Sequence, residues 1–173
     1  LIHSGNETLV HLVSSMLAPL QPPESIHLVY DDPRGYALLT LPKTPPRVVV
    51  ITRVTSPSYL IDLMELKPQG LVARSLAPQE ILTALTRVAR GEFFYDGPKL
   101  EDGLQHSERA VLRHLAWGLE NEQIAQALGI AENTVYNRLV ALRDKLQAKS
   151  RVELALYYFG MLPKMWGGGN LTP

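Results

Sequence analysis

The sequence predicts an α/β domain followed by an all-α domain, and three observations carry that expectation. Up to about residue 90, short β-type runs alternate with helical patterns, the rhythm of βα units around a parallel sheet. From Leu104 onward apolar residues recur only at helical spacing. Between the two, residues 91–103 combine glycines, a proline and mixed charges with no steady period, the composition of a linker.

In order, Leu1-Ile2 reads as the end of a first strand. Leu9, Leu12, Val13, Met16, Leu17 and Leu20 then mark a helix that Pro22-Pro23 interrupts. Residues 26–30 form a second strand, Asp31-Asp32-Pro33 a turn and residues 36–41 a short helix, after which Pro42, Pro45 and Pro46 keep the connection extended. The β-branched run Val48-Val49-Val50-Ile51-Thr52 suits a strand buried on both faces. Ser56 as N-cap and Pro57 at N1 open a helix to about Lys67, and residues 71–73 make a fourth strand. Ala77-Pro78-Gln79-Glu80 opens the next helix, whose Ile81, Leu82, Leu85, Val88 and Ala89 form one apolar stripe ending at Gly91. Phe93, Phe94 and Tyr95 are expected to fold back on a domain.

In the second half, Val111, Leu112, Leu115 and Leu119 define one helix, and Ile124, Ala125 and Leu128, closed by Gly129, a second. Val135, Leu139, Leu142 and Leu146 define a third, and residues 150–159, with Val152, Leu154, Ala155 and Leu156, a fourth. Residues 161–173 read as a frayed tail. The expected division is therefore 1–90, a linker 91–103, a helical domain 104–160 and the tail.

Composition excludes several classes. The 173 residues carry 17 basic against 17 acidic side chains, so the chain is neither a polybasic tail protein nor an acidic disordered one. With 46% apolar residues it can build one or two cores. It holds no cysteine, so disulfides, thiolate nucleophiles and Cys-based metal sites are out. No apolar run approaches a membrane span and no signal segment opens the chain, so a cytoplasmic location away from membranes is expected. The chain begins with Leu1 rather than Met, and is expected to start inside the native N-terminus. His3, His11, His27, His106 and His114 show no metal-ligand spacing, and no phosphate loop or serine elbow occurs. No enzyme, cofactor or metal is expected.

Residues 104 to about 156 resemble the LuxR/FixJ-type helix-turn-helix domain. Leu104, Glu108, Val111, Leu112, Ala116, Gly118, Asn121, Ile124, Ala125, Leu128, Ile130, Thr134, Val135, Leu142, Lys145 and Leu146 fall in its register. Ser150-Arg151-Val152-Glu153 resembles the start of the family's fourth helix. Residues 47–91 resemble the second half of a response-regulator receiver: Thr52 stands where such domains end a strand in a hydroxyl, and Gly70-Leu71-Val72-Ala73-Arg74 matches their last strand. The resemblance implies a truncated doubly wound receiver-like domain, with function at the carboxyl ends of its strands, followed by a four-helix helix-turn-helix domain.

Phosphoryl transfer requires an acceptor Asp, an acidic pair for Mg²⁺ and a Lys converging on the sheet edge. His3-Ser4 stands in place of the acidic pair, Arg74 in place of the Lys, and no strand is expected to end in Asp. Four βα units leave the domain one short, and the acceptor-bearing unit is a candidate for the missing one. The domain is therefore expected to go unphosphorylated and to serve dimerisation or the binding of a protein partner or small-molecule ligand.

A helix-turn-helix places the N-terminal part of its second helix in the major groove. Asn133, Asn137 and Arg138 are the candidates for base contact, because Asn pairs with adenine and Arg with guanine. Thr134, Arg143, Lys145, Lys149 and Arg151 are candidates for phosphate, and Tyr136 occupies a position that in the family commonly bears a Lys aimed at DNA. Gln105, Glu120 and Ala131 replace the family's usual hydroxyl caps, each loss costing ~0.5–2 kcal/mol. Across residues 104–159 seven basic side chains face six acidic ones, a weak field for double-stranded DNA. The reading is a sequence-specific transcription regulator that binds DNA as a homodimer; the alternative is an interaction module that keeps the fold and regulates through partners without specific DNA contact.

Overall fold

A computed structural model describes residues 2–21, 26–41, 47–74 and 77–162. Leu1, the Pro22-Pro23 break, the prolines at 42, 45 and 46, and the tail beyond residue 162 lie outside the described residues. The chain divides into two compact units, 1–100 and 101–173.

The first unit is a five-stranded, fully parallel sheet in the order β1-β2-β3-β4-β5. Its strands are β1 (Ile2–His3), β2 (His27–Tyr30), β3 (Val48–Ile51), β4 (Gly70–Val72) and β5 (Phe94–Asp96). Between them run α1 (Glu7–Leu17), α2 (Tyr36–Thr40), α3 (Pro57–Glu65) and α4 (Pro78–Ala89). The Asn6 side chain caps α1 by accepting the Leu9 N–H at 3.2 Å. Ser56 holds the N-cap position of α3, but its buried hydroxyl makes no hydrogen bond, so the cap expected there is absent; Pro57 alone sets the helix start.

All four residues of β3 are buried, as its β-branched run requires. Leu28, Tyr30, Val49, Ile51 and Val72 share one core with Val13 and Leu17 of α1 and Ile81, Ala84, Leu85 and Val88 of α4. Strand alternation turns Val29, Val50 and Leu71 to the opposite face, where α2 and α3 contact one another.

A strand order that never reverses, with α1 and α4 on one face and α2 and α3 on the other, gives the outer and inner crossovers opposite hands. Nearly all such crossovers are right-handed. The flavodoxin-like order 2-1-3-4-5 stripped of its outer strand leaves four strands, the arrangement of β1 to β4, with α1 on the face from which it leads outward in that order; β5 adds a fifth strand beside β4. On that comparison the missing unit lies beyond β1. Asp31 directly follows β2 and β5 ends in Asp96, which corrects the expectation that no strand ends in Asp. A second difference lies in the stretch expected as linker, which forms β5. Phe94 there packs on the core while Phe93 is exposed.

The second unit is helical: α5 (His106–Ala116), α6 (Asn121–Leu128), α7 (Glu132–Leu146) and α8 (Arg151–Tyr158). Leu112, Leu115, Ile124, Val135, Leu142, Leu154 and Tyr158 form its core. Gly129, at φ 63°, ends α6 in the left-handed conformation that lets the chain turn at once into α7. Two of the lost hydroxyl caps are compensated from within the helix. Glu108 accepts the Gln105 N–H at 2.9 Å and Gln123 accepts the Glu120 N–H at 2.8 Å, the reciprocal arm of a capping box. Ala131 has no such substitute. Ser150 caps α8 through the Glu153 N–H.

Candidate nucleic-acid interface and sheet edge

α7 turns Val135, Leu139 and Leu142 inward. Helical periodicity then sets Asn133, Asn137, Val140 and Ala141, and in the last turn the exposed Asp144, along the opposite pole. Asn133 and Asn137 are exposed and Val140 and Ala141 half-exposed. Tyr136, 56% exposed, and the exposed Arg143 flank this pole on one side. They line a shallow cleft whose far wall includes Asn121, Arg151 and Leu154. Thr134, Arg138 and Lys145 flank it on the other. Val140 was absent from the sequence-based candidates, although its spacing of four from Tyr136 marks it.

The cations expected to hold phosphate divide into two groups. Lys145 Nζ donates to both carboxylate oxygens of Glu108 at 2.8 Å. Burial pushes the Glu108 carboxyl up, but hydrogen bonds from Lys145 and the Gln105 N–H, with the charges of Lys145 and Arg138, outweigh it and hold the group below its usual range. Arg151 donates to Asn121 Oδ1 at 2.8 Å and to the Leu119 carbonyl, tying the start of α8 to the α5–α6 turn. These two side chains are thus engaged in holding the unit together. Arg109, counted in the field of the domain, is likewise neutralised by Asp102 in a two-pronged ion pair at 2.8 and 3.2 Å, both side chains almost fully buried. Asp102 lay in the expected linker, where nothing in its pattern distinguished it. Arg143 and Lys149 remain exposed.

At the carboxyl edge of the sheet, Asp31 is 2% exposed. Its Oδ1 accepts the N–H groups of Gly35 at 3.0 Å and Ala37 at 2.9 Å. Its Oδ2 accepts the hydroxyls of Thr52 and Tyr59, both at 2.7 Å. An ionised carboxylate offers about four lone-pair positions, and here four donors fill them. Gly35, at φ 95°, adopts the backbone that aims its N–H at this carboxylate. Arg74 points elsewhere: its Nη2 donates to the Gly97 carbonyl at 2.9 Å, and its Nε lies 3.8 Å from Asp96 on β5. Where the acidic pair would stand, Ser4 donates to the Asp32 carbonyl and Asn6 to the Asp32 carboxylate. Among the described residues no cluster of three His, Cys, Asp or Glu is placed to hold a metal ion, and no helix is long and apolar enough to cross a membrane.

Comparison with known proteins agrees with this architecture. The sequence profile of the GerE group, "Bacterial regulatory proteins, luxR family", matches residues 102–158. The chain is 30% identical over 132 residues to the transcriptional regulatory protein UhpA of Salmonella typhimurium, covering 72% of this chain and 67% of that protein. It is 29% identical over 127 residues to a nitrate/nitrite response regulator protein homolog of Haemophilus influenzae, covering 65% of this chain and 60% of the relative. It is 27% identical over 113 residues to DesR of Bacillus subtilis, covering 62% and 57%. The chain thus spans about 60% of the length of such curated relatives. Its fold is similar to that of RcsB in a structure of two RcsB dimers bound to two parallel DNAs, with a TM-score of 0.52 at 18% identity over 93% of this chain and 97% of the other. The receiver-like parallel sheet, the helix-turn-helix and the relatives converge: this chain belongs to the luxR family of bacterial regulatory proteins, among its response regulators.

Proposed function

We propose that the protein is a transcription regulator that binds double-stranded DNA sequence-specifically, as a homodimer, through α7. The observation that carries this reading is the outward pole of α7, which leaves Asn133 and Asn137 exposed on the helix that a helix-turn-helix seats in the major groove. RcsB, whose fold the chain shares, binds DNA as dimers, which supports a two-fold arrangement here. Arg143 and Lys149, with Arg138 and Thr134 at the flank, are the phosphate and base contacts that accompany the pole; Lys145 and Arg151 act as positioning residues. Selection of bound duplexes from a random pool by the purified chain tests the proposal. An enriched two-fold site supports it, and a pool that stays flat at every salt concentration overturns it.

The receiver-like domain, in this reading, works without phosphorylation. A buried carboxylate whose four lone-pair positions accept hydrogen bonds must break at least one of them, and open to solvent, before an oxygen can attack an incoming phosphoryl group. Incubation with a small phosphodonor and Mg²⁺ leaves the intact mass unchanged; an acid-labile adduct contradicts this. The alternative role, regulation through protein partners without specific DNA contact, draws support from one observation. Among the seven basic residues between 104 and 159, Arg109, Lys145 and Arg151 are engaged internally, and the Asp102 carboxylate that neutralises Arg109 comes from outside that stretch, which weakens the field below the count in the sequence.

A further inference from the structure

The outward pole of α7 carries an unusual chemistry for a surface that meets a polyanion. Over its first three turns the residues farthest from the buried stripe are Asn133, Asn137, Val140 and Ala141: two carboxamides, then an isopropyl and a methyl group. No cation stands on the pole itself. Arg138 stands on one flank, where its charge helps lower the Glu108 carboxyl, and Arg143 lies on the other flank beside Tyr136.

Each base pair presents a distinct pattern in the major groove. Guanine offers two acceptors, matched by Arg or Lys. Adenine offers an acceptor and a donor, matched by the carboxamide of Asn, and thymine adds a methyl group matched by small apolar side chains. Resting on the proposed DNA-binding function, we propose that α7 reads A·T base pairs. Asn133 and Asn137 pair with adenine edges, and Val140 and Ala141 pack on thymine methyl groups. One helical turn separates the two Asn residues, about 6 Å along the axis, so they address base pairs about two steps apart. The thymine methyls contacted by Val140 and Ala141 lie farther into the half-site. Affinity in this arrangement depends little on long-range charge and mostly on these short contacts, consistent with the near-neutral unit.

The test uses the full chain and the duplex it selects from a random pool. Thymines of the half-site are replaced one at a time by deoxyuridine, which removes only the C5 methyl and leaves every hydrogen-bonding group in place. The expected result is an A·T-rich half-site and a loss of about fivefold or more in affinity at one or two thymines. In Val140→Ala the loss shrinks at the thymine that Val140 contacts and persists at the one contacted by Ala141, while Asn137→Ala relaxes the preference for adenine at one position. The DNA modification keeps the test valid even where a protein variant folds poorly. A selected half-site built on G·C pairs, or one indifferent to every thymine-to-deoxyuridine change, overturns the A·T reading and leaves specific DNA binding standing. A pool with no enriched sequence overturns both.

Discussion

The sheet edge around Asp31 and the outer pole of α7 both present polar side chains at the place where their fold conventionally works, and they treat those side chains in opposite ways. At the edge, Thr52, Tyr59, Gly35 and Ala37 each donate a hydrogen bond to the buried Asp31 carboxylate. On α7, Asn133 and Asn137 stand in solvent, while Lys145 at the flank is held by Glu108. A polar group with all its partners inside the molecule contributes to stability; one without them is available to a ligand. In the proposed reading, function resides in the helix and the sheet edge serves stability.

Substitution of Asp31 is the sharpest way to break this contrast. Asp31→Ala takes the acceptor from the Thr52 and Tyr59 hydroxyls and from the Ala37 N–H, leaving the Gly35 N–H only Tyr59 Oη at 3.1 Å, and costs about 3–5 kcal/mol, read as a lowered denaturant midpoint of the first unit. Were the carboxylate instead a reactive group held ready for chemistry, the change would be nearly neutral to stability. Next in size is Lys145→Met, which keeps the aliphatic stem and removes the charge facing Glu108. It destabilises the helical unit by about 1–3 kcal/mol, measured by thermal melting. It also removes an acid sensitivity. Because the folded Glu108 carboxyl lies below its usual 4.5, its stabilisation is complete above that pH and is lost as pH falls through the depressed value, a component missing from the variant.

Ser150→Ala removes the cap that accepts the Glu153 N–H and costs about 1 kcal/mol. A smaller effect comes from His3 and His27, whose rings stack across β1 and β2 with nitrogens 2.9 Å apart. Burial first, and the His27 charge second, hold His3 below its usual 6.5. The stability it confers is complete above about pH 6.5 and is lost as pH falls toward the depressed folded value. Urea midpoints of the first unit therefore decline in that window, and His3→Gln flattens the decline. Smallest of all on stability is Asn137→Ala, within about 0.5 kcal/mol, although it changes which base is preferred.

The helical unit was legible because its motif is local. Val135, Leu139 and Leu142 set one face of α7 by period alone, and Gly129 marked the turn before it. The partners of its cations were not legible, since Lys145 and Glu108 lie 37 residues apart and meet only in the fold. In the first unit the alternation predicted β2 to β4 and their helices. It missed β5, whose three half-buried residues carry no alternating pattern, and misjudged Asp31. Asp31-Asp32-Pro33 has the chemistry of a turn, and only the strand register that brings Thr52 beside it shows that the first Asp directly follows a strand.

The most direct test of the account is an anisotropy titration of the selected duplex with the full chain, before and after incubation with a small phosphodonor and Mg²⁺. The account predicts saturable, sequence-specific binding and superimposable curves. Absence of specific binding, or an affinity that shifts together with a phosphate adduct in the intact mass, contradicts it.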